Sequence, residues 1–392
     1  MTKPTAFCAD RIFDGNRFAE KAALLVEGNK ITGIVKQDAI PSRYAQQPDN
    51  AAMIVPGFVD LQVNGGGGAL LNETPTQEGI ATICQAHARF GTTALMTTLI
   101  TDGPDIRDKA LEAGKQATQA KVAGFLGLHL EGPHLSVPRK GVHVADFIRP
   151  MDEQDLAVLL SAQGTFGKSM ITVAPENVTI DQVAALVEAG WHVSLGHTDC
   201  DAETAFAYFE AGASMATHLF NAMSQMRNRE PGLVGAVLTT DKAYCGMIAD
   251  GYHIANANMR VALHAKKGPG RIFLVTDAMS PTGTDATEFI LGGRQTFRRE
   301  GRLALADGTL AGADIDMISM VRKAIKTLPL SLEEALKMAS RYPCEAIGAE
   351  SNGWLKPGFD ADFLLLDETL SLQSTWIGGA CAHSNANQGP TA

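Results

Sequence analysis

Eight apolar, β-rich runs recur along this chain, and each is followed by a turn and a segment with helical spacing. Apolar runs without strict alternation indicate strands that are buried on both faces, which is typical of a parallel sheet. Eight strand–helix units over about 290 residues fit a closed (β/α)8 barrel, an α/β fold, better than an open sheet. The predicted strands are residues 55–63, 92–100, 122–130, 170–174, 192–195, 214–219, 244–249 and 271–276.

Helices are predicted between these runs, for example over residues 76–90, 180–189, 201–211 and 256–266. Asp201 and Asn256 are residue types that cap helix N-termini. Gly91, Gly190 and Gly212 stand where the C-terminus of a helix favours a residue in the left-handed conformation.

The two ends of the chain have a different character from the middle. Residues 22–26 and 30–35 have the pattern of short strands with tight turns, and residues 353–367 return to a turn followed by a strand. We therefore expect a small β domain built from residues 1–54 and 350–392, with the barrel over residues 55–349.

Composition narrows the class of partners. The chain has 33 Lys and Arg residues against 43 Asp and Glu residues, a net charge of −10, and it has no basic run, so nucleic acid is a poor candidate ligand. No stretch reaches the roughly 18 apolar residues of a membrane span, and the first residues lack the apolar core of a signal peptide. The six cysteines form no CxxC pair, which is typical of reduced thiols. We expect a cytoplasmic protein without nucleic-acid or membrane partners.

Polar side chains follow most of the predicted strands. In a barrel of this type the carboxyl ends of all strands meet at one rim, where the chemistry takes place. The residues at these ends are Gln62 and Asn64 at the first run, Glu131 at the third, His197 at the fifth, His218 at the sixth, Asp250 and His253 at the seventh, and Asp277 at the eighth.

Glu131, His197 and His218 are ligand types that, brought together, hold a catalytic Zn²⁺ with one position open for water. A single histidine after an apolar run is more often a hydrogen-bonded structural residue, and Asp277 by itself could equally be a helix cap. Their joint occurrence at one rim favours metal ligation.

Two further features leave alternatives open. The NGGGG segment, residues 64–68, lacks the GxGxxG spacing and the GK[ST] ending, so it predicts a sharp turn or a close backbone approach and no nucleotide site. His129 alternates with Glu131 on one strand and points the same way, so it could support the site or pack inside the barrel.

A series of motifs appears in order between residues 55 and 312 and again near the end of the chain. They are PGFVDLQVNGGGG, GLHLEGPHLS, KGVH, SLGHTD, THLFNAM, REPGLVGAV, ADGYH, LVTDAMSPTG, GTLAGA and GWLKPGFDADFLLLD. Together they resemble the N-acetylglucosamine-6-phosphate deacetylase family of the amidohydrolase superfamily. The resemblance implies a TIM-like metal-dependent hydrolase barrel with a small β-sandwich made from both termini.

The resemblance also implies roles for single residues. Glu131, His197 and His218 match the ligands of one divalent metal ion, commonly Zn²⁺, and Asp277 matches the general acid/base. The residues matching the substrate-binding positions are Val142, His143 at the acetamido group, Asn221, Ala222, Arg229, His253 and the predicted turn of Leu310, Ala311 and Gly312. A phosphate contact from the neighbouring subunit in this family implies a homodimer.

One departure from the wider superfamily concerns the number of metal ions. Many amidohydrolases have His-x-His at the end of the first strand, where this chain has Gln62 and Asn64. Neutral amides are poor ligands for transition metals, so Gln62 is expected to support the site and a single metal is predicted.

The predicted reaction is hydrolysis of the acetamide of N-acetylglucosamine 6-phosphate, with Asp277 accepting the proton of a metal-activated water and returning it to the amine. An alternative substrate is N-acetylgalactosamine 6-phosphate or another N-acyl amine. A sugar-phosphate-binding protein without catalysis is a third possibility, although such a protein would have no need of the metal-activating residues. No lysine ends any predicted strand, which disfavours an aldolase.

Overall fold

The computed structural model describes residues 3–47 and 51–385, and five strands open the described chain. Their backbone pairing joins β1 to β2, β4 and β5, and β2 to β3. The short strands predicted around residues 22–26 and 30–35 are confirmed as parts of longer ones. The bounds are β1 (Thr5–Phe13), β2 (Phe18–Glu27), β3 (Lys30–Lys36), β4 (Ala45–Gln46) and β5 (Ala51–Pro56).

Eight parallel strands form the barrel, in the order in which they occur along the chain. The predicted (β/α)8 fold is therefore confirmed. The barrel strands are β6 (Phe58–Val63), β9 (Thr92–Ile100), β10 (Phe125–Glu131), β11 (Lys168–Val173), β12 (His192–Leu195), β13 (Met215–Ala216), β14 (Tyr244–Met247) and β15 (Ile272–Leu274). Two further strands of two residues each, β7 (Gly65–Gly66) and β8 (Ala69–Leu70), pair with each other in a small ribbon after β6.

The run predicted as one strand over residues 55–63 is two strands. Strand β5 ends at Pro56 and belongs to the terminal sheet, whereas β6 begins at Phe58 and belongs to the barrel. A Cβ atom on Gly57 would lie 2.0 Å from the Thr93 hydroxyl, so the chain can change direction here only with glycine.

The seam between the first and last barrel strands is joined by individual hydrogen bonds. The amide of Asp277 donates to the carbonyl of Gln62 at 3.0 Å. The preceding residue, Thr276, donates from its hydroxyl to the buried Asp60 carboxylate at 2.5 Å. These bonds hold the segment that follows β15 against β6. They therefore fix the direction of the backbone at Asp277.

In the described part of the chain, ten α-helices surround the sheets. Thr76 and Asp201 cap α1 and α5, each accepting from a backbone amide of the first turn. The predicted cap at Asn256 is wrong, since Ala255 holds the cap position and Asn256 is the first helical residue. The helices are α1 (Gln77–Ala88), α2 (Pro104–Gln119), α3 (Glu153–Ala162), α4 (Ile180–Glu188), α5 (Ala202–Glu210), α6 (Gly232–Thr239), α7 (Asn256–Ala265), α8 (Met317–Thr327), α9 (Leu332–Ala339) and α10 (Arg341–Ala346). Among the described residues, no helix is long and apolar enough to cross a bilayer.

An antiparallel sheet of four strands is inserted between β15 and α8, and the sequence did not reveal it. Its strands are β16 (Glu288–Leu291), β17 (Arg294–Arg299), β18 (Arg302–Leu305) and β19 (Leu310–Ala313). The predicted turn over residues 310–312 is therefore wrong, because these residues lie in β19. The inserted strands are partly exposed and short, so they lack the long apolar runs that marked the barrel strands.

The last three strands return to the terminal sheet, as expected for a small domain made from both ends. They are β20 (Phe363–Leu366), β21 (Leu372–Ile377) and β22 (Ala380–Ser384), and β20 pairs antiparallel with β5. In a flat sheet β1 and β21 would be about 14 Å apart, yet the rings of Phe7 and Trp376 are 4.7 Å apart. The sheet therefore curls over its own core, in agreement with the predicted sandwich. Part of the predicted segment 350–392, residues 386–392, lies outside the described residues, and the domain boundaries stay a prediction.

Candidate active site

Three side chains from separate barrel strands meet at the carboxyl-end rim. The Nε2 atoms of His197 and His218 are 3.0 Å apart, and they lie 3.2 Å and 3.1 Å from Oε1 of Glu131. Ligands on one tetrahedral Zn²⁺, at about 2.0–2.1 Å from the ion, lie about 3.3 Å from one another. The three atoms thus have the chemistry and the mutual spacing of a single cation site.

The backbone at this rim is unusual. His197, His218 and Asp277 have φ values of 49°, 32° and 49°, in the left-handed region that residues with a Cβ rarely adopt. Each follows the end of its strand, and the turn directs its side chain into the mouth of the barrel. Such local strain is frequent at functional sites, where the surrounding structure compensates for it.

Hydrogen bonds indicate which atoms of this cluster carry protons. His197 Nδ1 lies 2.8 Å from the carbonyl of Arg139, so Nδ1 carries a proton, and Nε2, which faces Glu131, is the nitrogen that can bind a cation once it loses its own proton. Burial by itself would raise the pKa of Glu131, but hydrogen bonds from His197 and His218 outweigh it and hold that pKa well below its usual value. Glu131 is therefore ionised, which is the form that binds a cation.

His143 also approaches this group, with its Nε2 4.0 Å from Oε2 of Glu131, and a cluster of Glu131, His143 and His197 has one ligand atom each within 4.8 Å. The backbone amide of Thr101 donates to His143 Nδ1 at 3.3 Å, and the Thr101 hydroxyl is 2.7 Å away. An amide can only donate, so Nδ1 accepts and the ring proton lies on Nε2. Burial, followed by the charge of His197, lowers the pKa of His143 to about 3. His143 is thus a neutral hydrogen-bond donor facing the cleft rather than a ligand.

Asp277 lies beside the three-residue cluster and is held by two amides. The side-chain amides of Asn64 and Gln62 donate to its Oδ1 at 2.7 Å and 3.2 Å, and Gln62 also donates to Oε1 of Glu131 at 3.0 Å. Burial and then the charge of Glu131 raise the pKa of Asp277 to about 6. A carboxyl that titrates near neutrality is suited to move a proton.

The strand that carries the GTLAGA motif packs against Asp277. The amide of Ala313 donates to the Asp277 carbonyl at 3.1 Å. Gly312 has φ 78°, and a Cβ there would lie 2.8 Å from the same carbonyl oxygen, so a side chain cannot be accommodated. The inserted sheet therefore packs directly against the backbone of Asp277 at Gly312.

One cleft of about 680 Å³ contains this machinery. Of the predicted substrate residues, Val142, His143, Asn221, Ala222, His253, Leu310 and Gly312 line it together with Glu131, His197, His218 and Asp277. Ala311 is fully buried behind the lining, and Gln62 is buried below it. His253 Nδ1 is 2.7 Å from the buried Asp250 carboxylate, so its other nitrogen is free to face a ligand.

Arg229 is not brought to the cleft. It is exposed in the loop before α6 and is absent from the cleft lining. The neighbouring Glu230 carboxylate accepts from the amides of Ala202 and Gly232, both at 2.9 Å, and in the described chain Arg229 forms no ion pair. The structure therefore gives Arg229 no contact with the other predicted site residues.

Several residues of the site were not predicted from the sequence, and the role of His129 was left open. Ile100, Ile248 and Met279 line the cleft, and none of them was among the predicted site residues. Thr101, which directs His143, follows β9 directly and could have been found by the same strand-end rule. His129 bonds to the hydroxyls of Thr98 and Thr172 at 3.2 Å and 2.7 Å, which places it inside the barrel.

A carboxylate and two imidazoles with the spacing of a cation site, beside a buried aspartate at the carboxyl-end rim of a (β/α)8 barrel, are typical of a metal-dependent barrel hydrolase. A sequence model of the amidohydrolase family matches residues 53–385. The chain belongs to this family, whose members are metal-dependent, and the resemblance seen in the motifs is confirmed.

Individual relatives carry more specific names. An N-acetylgalactosamine-6-phosphate deacetylase of Shewanella sp. (strain ANA-3) is 43% identical over 83% of this chain and 82% of its own. A crystal structure of N-acetylglucosamine-6-phosphate deacetylase from Pasteurella multocida superposes with a TM-score of 0.92 at 32% identity, over 97% of this chain and 100% of the other. A mutant of the Mycobacterium smegmatis enzyme in complex with N-acetyl-D-glucosamine-6-phosphate has a TM-score of 0.90 at 30% identity, over 98% and 100%.

Proposed function

We propose that this protein hydrolyses the acetamide of N-acetylglucosamine 6-phosphate to glucosamine 6-phosphate and acetate. The observation that carries the proposal is the cluster of Glu131, His197 and His218, with spacings of 3.0–3.2 Å, beside Asp277 in one cleft. The similarity to deacetylases over nearly the whole chain supports the substrate class.

We infer that one divalent cation, Zn²⁺, is held by Glu131, His197 and His218. Two imidazole nitrogens and a carboxylate oxygen are a normal catalytic Zn²⁺ set. The bound cation would lower the pKa of a water molecule towards about 7 and polarise the acetamide carbonyl. Gln62 and Asn64 donate their amide protons to carboxylates, and because neutral amides are poor ligands for transition metals, we infer no second metal on this side.

Two residues of the chain supply the remaining chemistry. Asp277 accepts the proton of the attacking water, and the new carbon–oxygen bond forms as the carbonyl oxygen gains negative charge. His143 donates from Nε2 to that oxygen. Asp277 then returns the proton to the sugar nitrogen as the carbon–nitrogen bond breaks, because an amide anion is too poor a leaving group.

The sugar phosphate is expected on the other side of the cleft, near Asn221, Ala222 and His253. The protein is acidic, so a phosphate group needs a local cation. Arg229 is exposed and unpaired in one subunit, which fits a role at the cleft of a neighbouring subunit. We therefore propose a homodimer, and we keep the cytoplasmic location as a prediction.

Replacing Arg229 with alanine should raise KM for the phosphorylated sugar by about 10–100-fold, since a charge-assisted hydrogen bond contributes about 1.5–3 kcal/mol. KM for unphosphorylated N-acetylglucosamine should hardly change. Steady-state kinetics on both sugars measure the difference. Arg227→Ala, in the same exposed loop, is the control. An unchanged preference for the phosphorylated sugar in the Arg229 variant would contradict the role.

N-Acetylgalactosamine 6-phosphate is the second candidate substrate, and the 43% identical relative favours it. The two sugars differ only in the configuration of the C4 hydroxyl, and the reacting acetamide is the same. The machinery of Glu131, His197, His218 and Asp277 therefore serves either substrate.

Acetate release by the Zn²⁺-loaded protein, measured with both sugar phosphates, tests the proposal. We expect turnover of N-acetylglucosamine 6-phosphate, and the ratio of kcat/KM for the two epimers identifies the preferred one. A preference for the galacto epimer would replace the first substrate with the second. Failure to release acetate from either sugar phosphate would favour a binding protein without catalysis.

A further inference from the structure

A second cleft lies directly behind one wall of the active site. It has about 780 Å³ of space and shares Ile100 and Val142 with the active-site cleft. The remaining lining residues are Leu70, Asn72, Glu73, Thr101, Asp102, Val144, Phe147, Leu291, Gly292 and Gly293. Glu73, Phe147 and the two glycines are exposed, so this cleft opens to the surface.

Ile100 and Val142 are the partition between the two clefts. They are 7% and 8% exposed and pack in one apolar cluster with Leu70, Met279 and Leu291. Ile100 immediately precedes Thr101, which orients His143, and Val142 immediately precedes His143 itself. Both residues of the partition line the active-site cleft together with His143.

Polar side chains hold the backbone of the partition in place. The Asn72 side chain donates to the Ile100 carbonyl at 2.9 Å and accepts from the Ile100 amide at 3.2 Å. On the other side, the guanidinium of Arg294 in β17 donates to the Val142 carbonyl. The partition is thus held on both sides, and its apolar side chains decide how far the active-site cleft extends.

We propose that Ile100 and Val142 restrict the enzyme to short N-acyl groups by separating the acyl site from the second cleft. The proposal rests on the proposed deacetylase function and adds the limit on the acyl group. His143 and the metal cluster define the position of the carbonyl, and the sugar phosphate occupies the side of His253. The acyl methyl, the third substituent of the carbonyl carbon, then faces Ile100 and Val142.

The chemistry of the second cleft defines which acyl group would enter if the partition were reduced. Leu70 and Leu291 line the part behind the partition, whereas the carboxylates of Glu73 and Asp102 lie towards the rim. Apolar walls and acidic groups accept a neutral aliphatic chain and disfavour an acyl group that carries a carboxylate. Propanoyl and butanoyl groups are therefore suitable probes.

The test compares kcat/KM for N-acetyl- and N-butanoylglucosamine 6-phosphate in the wild type and in Ile100→Ala. A methylene that does not fit a pocket costs about 10–200-fold in specificity. We expect the wild type to prefer the acetyl substrate by at least about tenfold per added methylene, and Ile100→Ala to raise the butanoyl-to-acetyl ratio by about tenfold or more. Ile100→Val, a smaller change, should do the same for the N-propanoyl substrate to a lesser extent.

Two further variants test whether the chain enters the second cleft. Ile248 is also buried and, of the two clefts, lines only the active-site cleft, so Ile248→Ala removes the same atoms without joining the two spaces. Its butanoyl-to-acetyl ratio should not rise. Val144 lines only the second cleft, and Val144→Phe in the Ile100→Ala background should remove the gained butanoyl activity.

Three results would overturn the inference. The first is that both Ile100 variants still release acetate but keep the wild-type ratio of longer-acyl to acetyl kcat/KM. The second is an equal rise of the butanoyl-to-acetyl ratio in Ile248→Ala. The third is that the butanoyl activity gained in Ile100→Ala survives the addition of Val144→Phe. A wild type that fails to release acetate from either epimer would instead overturn the proposed function, so the two failures are distinguishable.

Discussion

Acetate release is expected to fall by about 10²–10⁴-fold when Asp277 is replaced with asparagine, while the protein still binds its metal ion. Asparagine has the shape of aspartate, and its Oδ1 can still accept from the amides of Gln62 and Asn64. It cannot accept the proton of the attacking water. Turnover assays combined with metal analysis separate the two effects, and a variant with near-native rates would contradict proton transfer by Asp277.

Asp362→Asn is the matched control for this variant. Asp362 is another buried carboxyl whose pKa burial raises to about 6, with hydrogen bonds from Asn352 and the Gly378 amide at 2.9 Å and 2.7 Å. It lies in the terminal sheet region, away from the cleft. Its variant should retain turnover, so a loss specific to Asp277 reflects chemistry rather than removal of a buried charge.

The pH dependence of turnover gives a second readout on Asp277. Its ionised form is the base, and burial together with the Glu131 charge raises its pKa to about 6. Turnover should therefore fall as the pH drops through this pKa, and the positive charge of a bound cation shifts the acid limb to pH 6 or below. An acid limb well above pH 6 would point to another group.

Replacing Glu131 with glutamine should weaken metal binding by at least about 100-fold and abolish acetate release. Replacing even a residue that only hydrogen-bonds to a metal ligand typically costs about 10–100-fold in affinity, and in the proposed ligand set Glu131 supplies the negative charge. Metal content after dialysis and acetate release measure the two losses. A variant that keeps one equivalent of metal would contradict the assigned ligands.

His129→Gln is the control on the same strand. His129 points the same way as Glu131 but bonds to Thr98 and Thr172 inside the barrel. Its variant should keep one equivalent of metal even if the fold is less stable. Metal loss in this variant as well would mean that disturbance of β10, rather than removal of a ligand, explains the effect of Glu131→Gln.

The barrel and the main cluster of the site could be predicted because both depend on local patterns. Apolar runs are local features, and the carboxyl ends of parallel barrel strands must meet at one rim, so Glu131, His197, His218 and Asp277 could be grouped without coordinates. The change of direction at Gly57, the inserted sheet of β16 to β19 and the apolar partition at Ile100 could not be predicted in this way. They depend on which distant segments pack together.

For this protein, the amino-acid sequence by itself determined the barrel, the residues at its rim and the family. The tertiary structure decided where two imidazoles carry a proton, because the Arg139 carbonyl accepts from Nδ1 of His197 and the Thr101 amide makes His143 a donor from Nε2. It also decided that Arg229 lies outside the cleft and that a second cleft lies behind Ile100. Hydrogen-bond partners and cavities are made by residues far apart along the chain, so they exist only after the barrel has closed.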